Sequence, residues 1–131
     1  MKRSIKRIIA LACLLALIIQ PASALASQQR TIPLNNILTN KHQVGPFATD
    51  SYVVINLNIR TTKPNNGGYC HVLAQIDGKW EIVYYKSIVF SLFETEKVIN
   101  ELLTSVSDYS LLILFSFTEP VYINGRITYF R

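Results

Sequence analysis

Residues able to carry chemistry are scarce in this chain. Of cysteine and histidine, its 131 residues provide two each. They fall at Cys13, His42, Cys70 and His71, without the short paired spacings of zinc sites. Cys70 and His71 are neighbours, so on a strand their side chains leave opposite faces and cannot share a ligand. A thiol nucleophile needs an imidazole within hydrogen-bond reach, and nothing in the sequence brings His42 to Cys70. No G-x-S-x-G, H-E-x-x-H or phosphate-binding loop is present, and Gly67-Gly68 reads as a turn. The sequence therefore nominates no catalytic residue, no metal ligand and no cofactor, and a non-enzymatic role is expected.

Acidic residues are missing altogether from the first 26 positions, MKRSIKRIIALACLLALIIQPASALA. Lys2, Arg3, Lys6 and Arg7 precede an apolar run from Ile8 to Ile19; Pro21 and small residues spaced A-x-A follow. This is the layout of a secretory signal peptide, with cleavage expected after Ala24 or Ala26. The apolar run is too short for a membrane-spanning helix, which needs roughly 20 residues. The mature chain is accordingly expected in the periplasm or outside the cell, with no membrane anchor left after cleavage.

Removing that segment changes the rest of the composition. The whole chain has 13 basic and 8 acidic residues; four of the basic ones lie before residue 27, leaving nine against eight, a formal +1. A nucleic-acid partner would call for a basic patch, and none exists. One cysteine remains, so an internal disulfide is impossible. Cys70, within Tyr69-Cys70-His71-Val72-Leu73-Ala74, is expected as a buried strand residue, the alternative being a bond to another chain. About 105 residues suffice for one small domain with a single core.

Residues 27–48 show no sustained periodicity and are expected as an N-terminal arm, with a short strand or turn near Ile32–Leu38. The domain proper is expected at 49–131. There, Ser51–Arg60 alternates Val53, Ile55, Leu57 and Ile59 with Tyr52, Asn56, Asn58 and Arg60, the period of a half-buried strand. A polar loop follows at 61–68. Tyr69–Ile76 and Lys79–Phe90 are strands joined by Asp77-Gly78, a two-residue link suited to positive φ at both positions. Ser91-Leu92-Phe93-Glu94 matches a capping box. Leu92, Ile99, Leu102, Leu103 and Val106 then form one stripe at helical spacing, with Glu94, Lys97, Asn100 and Glu101 opposite. A helix is therefore expected here, its carboxylates merely solvated. Leu111–Phe117 and Val121–Arg131 return to strand, the latter as one strand or as a tight hairpin about Asn124-Gly125.

The resulting order, β-β-β-α-β-β, is that of a β-rich α+β fold. An OB-like five-stranded barrel is expected from it, and a two-layer α+β sandwich fits the same order. Aromatic and amide side chains stand out along the strands. Rings stack on the C–H faces of sugars while amides pair hydroxyls, although tyrosine and tryptophan are also ordinary strand residues that pack. On this basis Trp80, Tyr69, Tyr84, Asn65 and Asn66 are the candidate ligand-binding residues.

The stretch Tyr69-Cys70-His71-Val72, the helix expected at 92–106 and the strand after it give residues 52–131 a pattern that resembles the binding (B) subunits of bacterial pentameric toxins. The resemblance implies an OB fold, ring-shaped oligomers, an enzymatic partner subunit and recognition of host cell-surface glycans. It assigns no individual site residue. A secreted, non-enzymatic, toxin-like binding domain with a glycan or protein ligand is the leading expectation. The alternative is a periplasmic inhibitor or immunity protein that caps a partner enzyme.

Overall fold

The alternation at Val53–Ile59 is realised in full: all four inward residues are buried while Val54, Asn56 and Asn58 face outward half-buried. A computed structural model describes residues 27–131; the signal-peptide reading of 1–26 lies outside the described residues. Six antiparallel strands make up the described chain: β1 (Gln29–Ala48), β2 (Val53–Thr61), β3 (Gly67–Ile76), β4 (Lys79–Val89), β5 (Glu96–Leu103) and β6 (Ser110–Phe130). Asp77 and Gly78 take φ of 51° and 78°, as the β3–β4 hairpin requires.

Two strands are far longer than the usual 3–10 residues: β1 has 20 and β6 has 21. Each serves two sheets. The first half of β6, Leu111–Phe117, lies between β3 and the second half of β1. Its second half, Val121–Tyr129, lies between β2 and the first half of β1. The β1–β6 register shifts at Leu34/Ile37, Thr39/Lys41 and Val44/Phe47, the bulges by which strands turn corners. In β6 the corner falls at Thr118-Glu119-Pro120, where proline has no N–H to give to a ladder. Asn66 fixes that corner. Its Nδ2 donates to Thr61 Oγ1 and to the Glu119 carbonyl, and its Oδ1 accepts from the N–H groups of Gly67 and Glu119, at 2.9–3.1 Å.

Sheet A thus runs β1 (second half), β6 (first half), β3, β4. Sheet B runs β1 (first half), β6 (second half), β2, β5. With the bent strands counted twice, these are the eight strands of a double-sheet jelly roll. Within residues 27–48, expected as an arm, Gln29–Ala48 form β1 and pair along nearly the whole of β6. Both sheets contribute to one core, in which Ile55, Ile59, Cys70, Val72, Leu111, Ile113, Ile123 and Ile127 are fully buried. Each such aliphatic side chain contributes about 1.5–3 kcal/mol. At Gly125 (φ 136°) a Cβ would lie 2.2 Å from the Asn56 carbonyl oxygen, so β6 meets β2 closely there and continues as one strand.

The expected helix is absent, and with it the OB-like β-β-β-α-β-β order: the described residues are all β. Half of the capping box does form, since the Glu94 carboxylate accepts from Ser91 N–H (3.3 Å) and Glu94 N–H donates to the Ser91 carbonyl (3.1 Å). It closes a single turn. Beyond it, β2 offers an open edge, and Glu96–Leu103 pairs with it residue for residue. Eight ladder positions outweigh a weak local helical preference, the usual way tertiary context overrides propensity. Ile99 and Leu103 are buried in either conformation; Val98 and Leu102, which a helix would have placed on its apolar stripe or beside it, are left exposed.

Candidate functional site

The outer face of sheet A carries two rows that cross all four strands. One runs Gln43, Leu114, His71, Tyr85; the other Lys41, Ser116, Tyr69, Ser87. Each row follows from strand parity, since the inward residues alternate with these: Val44, Ile113, Val72 and Cys70 lie in the core. The aromatic members lie against one another, Tyr69 stacked with His71 and Tyr85, and His71 tilted against Tyr85. Tyr69 and His71 rings are 4.4 Å apart at 24°, His71 and Tyr85 are 5.0 Å apart, and Tyr69 and Tyr85 are 6.1 Å apart. Beside this platform a hollow of about 350 Å³ lies over β6, floored by Leu114 and Ser116, with Lys41 and Gln43 on its far side. That volume is within the range of small-ligand clefts. The arrangement offers ring faces, one ammonium, an amide and a hydroxyl, all reachable from solvent.

Of the residues expected from sequence, Tyr69 belongs to this platform. Trp80 shares its face but sits opposite Gln75, six residues along β3 from Tyr69 and so roughly 20 Å away. Leu73 and Ile82 lie between them as a directly paired outward pair. Asn65 (φ 56°) is exposed in the β2–β3 loop. Asn66 is 1% exposed with both amide hydrogens donated and its oxygen accepting twice, so it has nothing left for a ligand. Tyr84 points inward. Burial, and secondarily the Glu101 carboxylate, raises its phenol pKa. The five residues are not gathered into one site.

Tyr85 replaces Tyr84 on the platform because of one extra residue. From Asp77-Gly78 the hairpin pairs Gln75 with Trp80 and Leu73 with Ile82, and then skips Val83, so that Val72 faces Tyr84 and His71 faces Tyr85. The bulge exchanges the two tyrosines between faces. His71, weighed in the sequence only as a metal ligand or thiol partner, and Tyr85, Lys41, Gln43 and Ser116 are not among the ligand-binding residues expected from it. The spacing Tyr69-x-His71 on one strand was the available signal for the first of these.

Thiol chemistry finds no support. Cys70 is fully buried, and burial pushes its pKa up to about 12, the opposite of an activated thiol. His42 and Cys70 both lie opposite Phe115, on either side of β6. Two strand spacings, about 10 Å, and the phenylalanine itself separate them. The same burial leaves Cys70 unavailable for a bond to another chain.

No protein-family model and no curated protein sequence matches the chain. Among solved structures it is similar to a chain of infectious bursal disease virus, Gx strain, with a TM-score of 0.51 at 7% identity over 80% of this chain and 32% of that one. The Gt strain of the same virus gives 0.50 at 9% identity, again over 80% and 32%. A structure described as "CBM4 structure and function" gives 0.41 at 10% identity over 83% and 82%. The chain spans about a third of the length of the viral chains. At these identities the likeness is one of β fold alone. The resemblance to toxin B subunits has lost the helix on which it leaned, and no sequence family supports it.

Proposed function

We propose that this chain is a secreted, non-enzymatic binding domain that holds a glycan against the Tyr69–His71–Tyr85 platform of sheet A. The observation that carries the reading is the cluster of three rings on an open sheet face, Tyr69 stacked with His71 and with Tyr85 and His71 tilted against Tyr85, beside a hollow edged by Lys41, Gln43 and Ser116. A pyranose presents a flat C–H face to such rings while its hydroxyls reach the amide, hydroxyl and ammonium across the hollow. Leu73, Ile82 and Trp80 continue the same face, so a longer oligosaccharide has more surface to lie on than a single sugar. Host cell-surface glycans and export through the residue 1–26 segment are the biological setting this reading favours. The test is a glycan array on the mature protein followed by calorimetric titration of any hit. Tyr69→Ala and Tyr85→Ala are each expected to weaken binding about tenfold, on the order of 1.4 kcal/mol. Unchanged affinity in both variants would remove the platform as the site.

A protein partner is the second reading, favoured by the free edge of β4. Among the described residues no strand pairs with β4 beyond β3, and its outward residues Trp80, Ile82, Tyr85 and Val89 are 40–62% exposed. An unpaired strand with apolar side chains can accept a partner's strand. Capture of one stoichiometric enzyme from periplasm, abolished by Ile82→Lys, would favour this inhibitor-like role; no such partner, with glycan binding intact, would remove it.

A further inference from the structure

The outer face of sheet B has a hollow of its own, of about 300 Å³, and it differs in chemistry. Arg126 stands in mid-sheet, its Cα paired with Asn56 on β2 and Pro33 on β1. Thr128 and Thr31, directly paired, lie beside it. At the other end the rings of Tyr52 and Phe130 meet at 4.9 Å. No aspartate or glutamate lines this hollow. The ion pairs among the described residues join Lys63 to Glu119, Lys86 to Glu101 and Lys97 to Glu94, and Arg126 takes part in none.

We infer that this hollow is a second ligand site, which takes the carboxylate of an acidic sugar ring on Arg126. The guanidinium fork matches a carboxylate with two parallel hydrogen bonds. Asn56, Thr31 and Thr128 supply amide and hydroxyl partners for ring hydroxyls. The Tyr52–Phe130 pair supplies an apolar wall for the ring's C–H surface. A neutral ligand would leave the arginine without its partner; a bare inorganic anion would leave the aromatic wall unused. The contact is solvent-exposed, so it is weak and salt-sensitive, with a dissociation constant on the order of 1 mM. This site lies on the opposite face from the platform and does not depend on the reading given for it.

Backbone amide shifts of the isotope-labelled mature protein, titrated with glucuronic acid, its methyl ester, glucose and inorganic sulfate, provide the test. Glucuronic acid is expected to shift the amides of Asn56, Arg126 and Thr128 saturably, and to do so at least tenfold more weakly in 0.5 M salt or in Arg126→Met. The methyl ester and glucose should leave those amides unmoved. Arg126→Gln and Thr128→Val are further variants on the outer face, for use if Arg126→Met is poorly folded; each should weaken the acid's effect. Tyr69→Ala should leave it intact, which separates this site from the platform. Three results overturn the inference: no shift with glucuronic acid, an equal shift with the methyl ester, or sulfate acting at the same concentration with the same footprint.

Discussion

The outer faces of the two sheets share one pair of bent strands and yet differ in what occupies their middle. Sheet A shows rings and aliphatic side chains, with Tyr69, His71, Tyr85, Ile82 and Trp80 along β3 and β4. Sheet B shows amides, hydroxyls and arginine in its middle, with Asn56, Asn58 and Arg60 on β2 and Arg126 and Thr128 on β6, and carries apolar side chains toward its margins, Tyr52 and Phe130 at one end and Val98 and Leu102 on β5. Arg60 lies over the ring of Tyr122 at 5.2 Å, so even there an aromatic face is occupied by a cation from its own sheet. Since both faces are built on the same core, the difference belongs to the outward positions alone. Strand parity lets one domain carry two surfaces of unlike chemistry, because inward and outward residues alternate and can vary separately.

The largest effects should come from residues that hold the two sheets in register. Gly125→Ala places a Cβ against the Asn56 carbonyl at a φ that side chains rarely adopt; a loss of about 3 kcal/mol or more is expected by urea unfolding. Asn66→Ala removes four hydrogen bonds and strands both main-chain groups of Glu119, for an expected loss of about 2–4 kcal/mol. Both faces should be lost together in each variant. A variant that disrupted only one face would show that the sheets are less coupled than the shared strands imply.

Cys70→Ser comes next, since it leaves a hydroxyl without a partner beneath the platform; about 1–3 kcal/mol is expected. The thiol also sets a pH dependence. Its buried pKa lies at about 12, raised from the ordinary 9.0, so the unfolded chain gives up its proton first. Stability should therefore fall as pH rises from 9 toward 12. Cys70→Ala should flatten that portion of the curve. A wild-type and variant difference that did not change with alkaline pH would contradict the burial. Smallest in stability, but decisive for binding, is Tyr85→Ala. Its side chain is 56% exposed, so unfolding should shift by only about 0.5 kcal/mol while ligand affinity drops about tenfold.

Much of the sheet architecture was legible because its signals are local. The alternation of Val53–Ile59 and the Asp77-Gly78 link each specify one strand or one turn, and each formed where expected. The failures have a common origin in long-range pairing. Ser91–Glu94 does make half of a capping box, and the stripe from Leu92 to Val106 does have helical spacing; an open edge on β2 decided the outcome. The double length of β1 and β6 had no sequence mark beyond Pro120 and Gly125, since irregular segments become strands only when a partner lies alongside. The candidate platform, itself a proposal, was half legible for the same reason. Tyr69 was found on its own strand, whereas choosing Tyr84 over Tyr85 depended on the bulge at Val83. Asn66 looked like a ligand amide because a sequence does not reveal that the backbone at Glu119 will use all of it.

The bulge also provides the most direct measurement. Calorimetric titration of the mature protein with the best glycan from an array, in parallel for wild type, Tyr85→Ala and Tyr84→Phe, separates two adjacent residues of the same type. The Tyr69–His71–Tyr85 platform predicts about tenfold weaker binding for Tyr85→Ala and wild-type affinity for Tyr84→Phe. Equal affinity for wild type and Tyr85→Ala, or loss of binding in Tyr84→Phe alone, would contradict it.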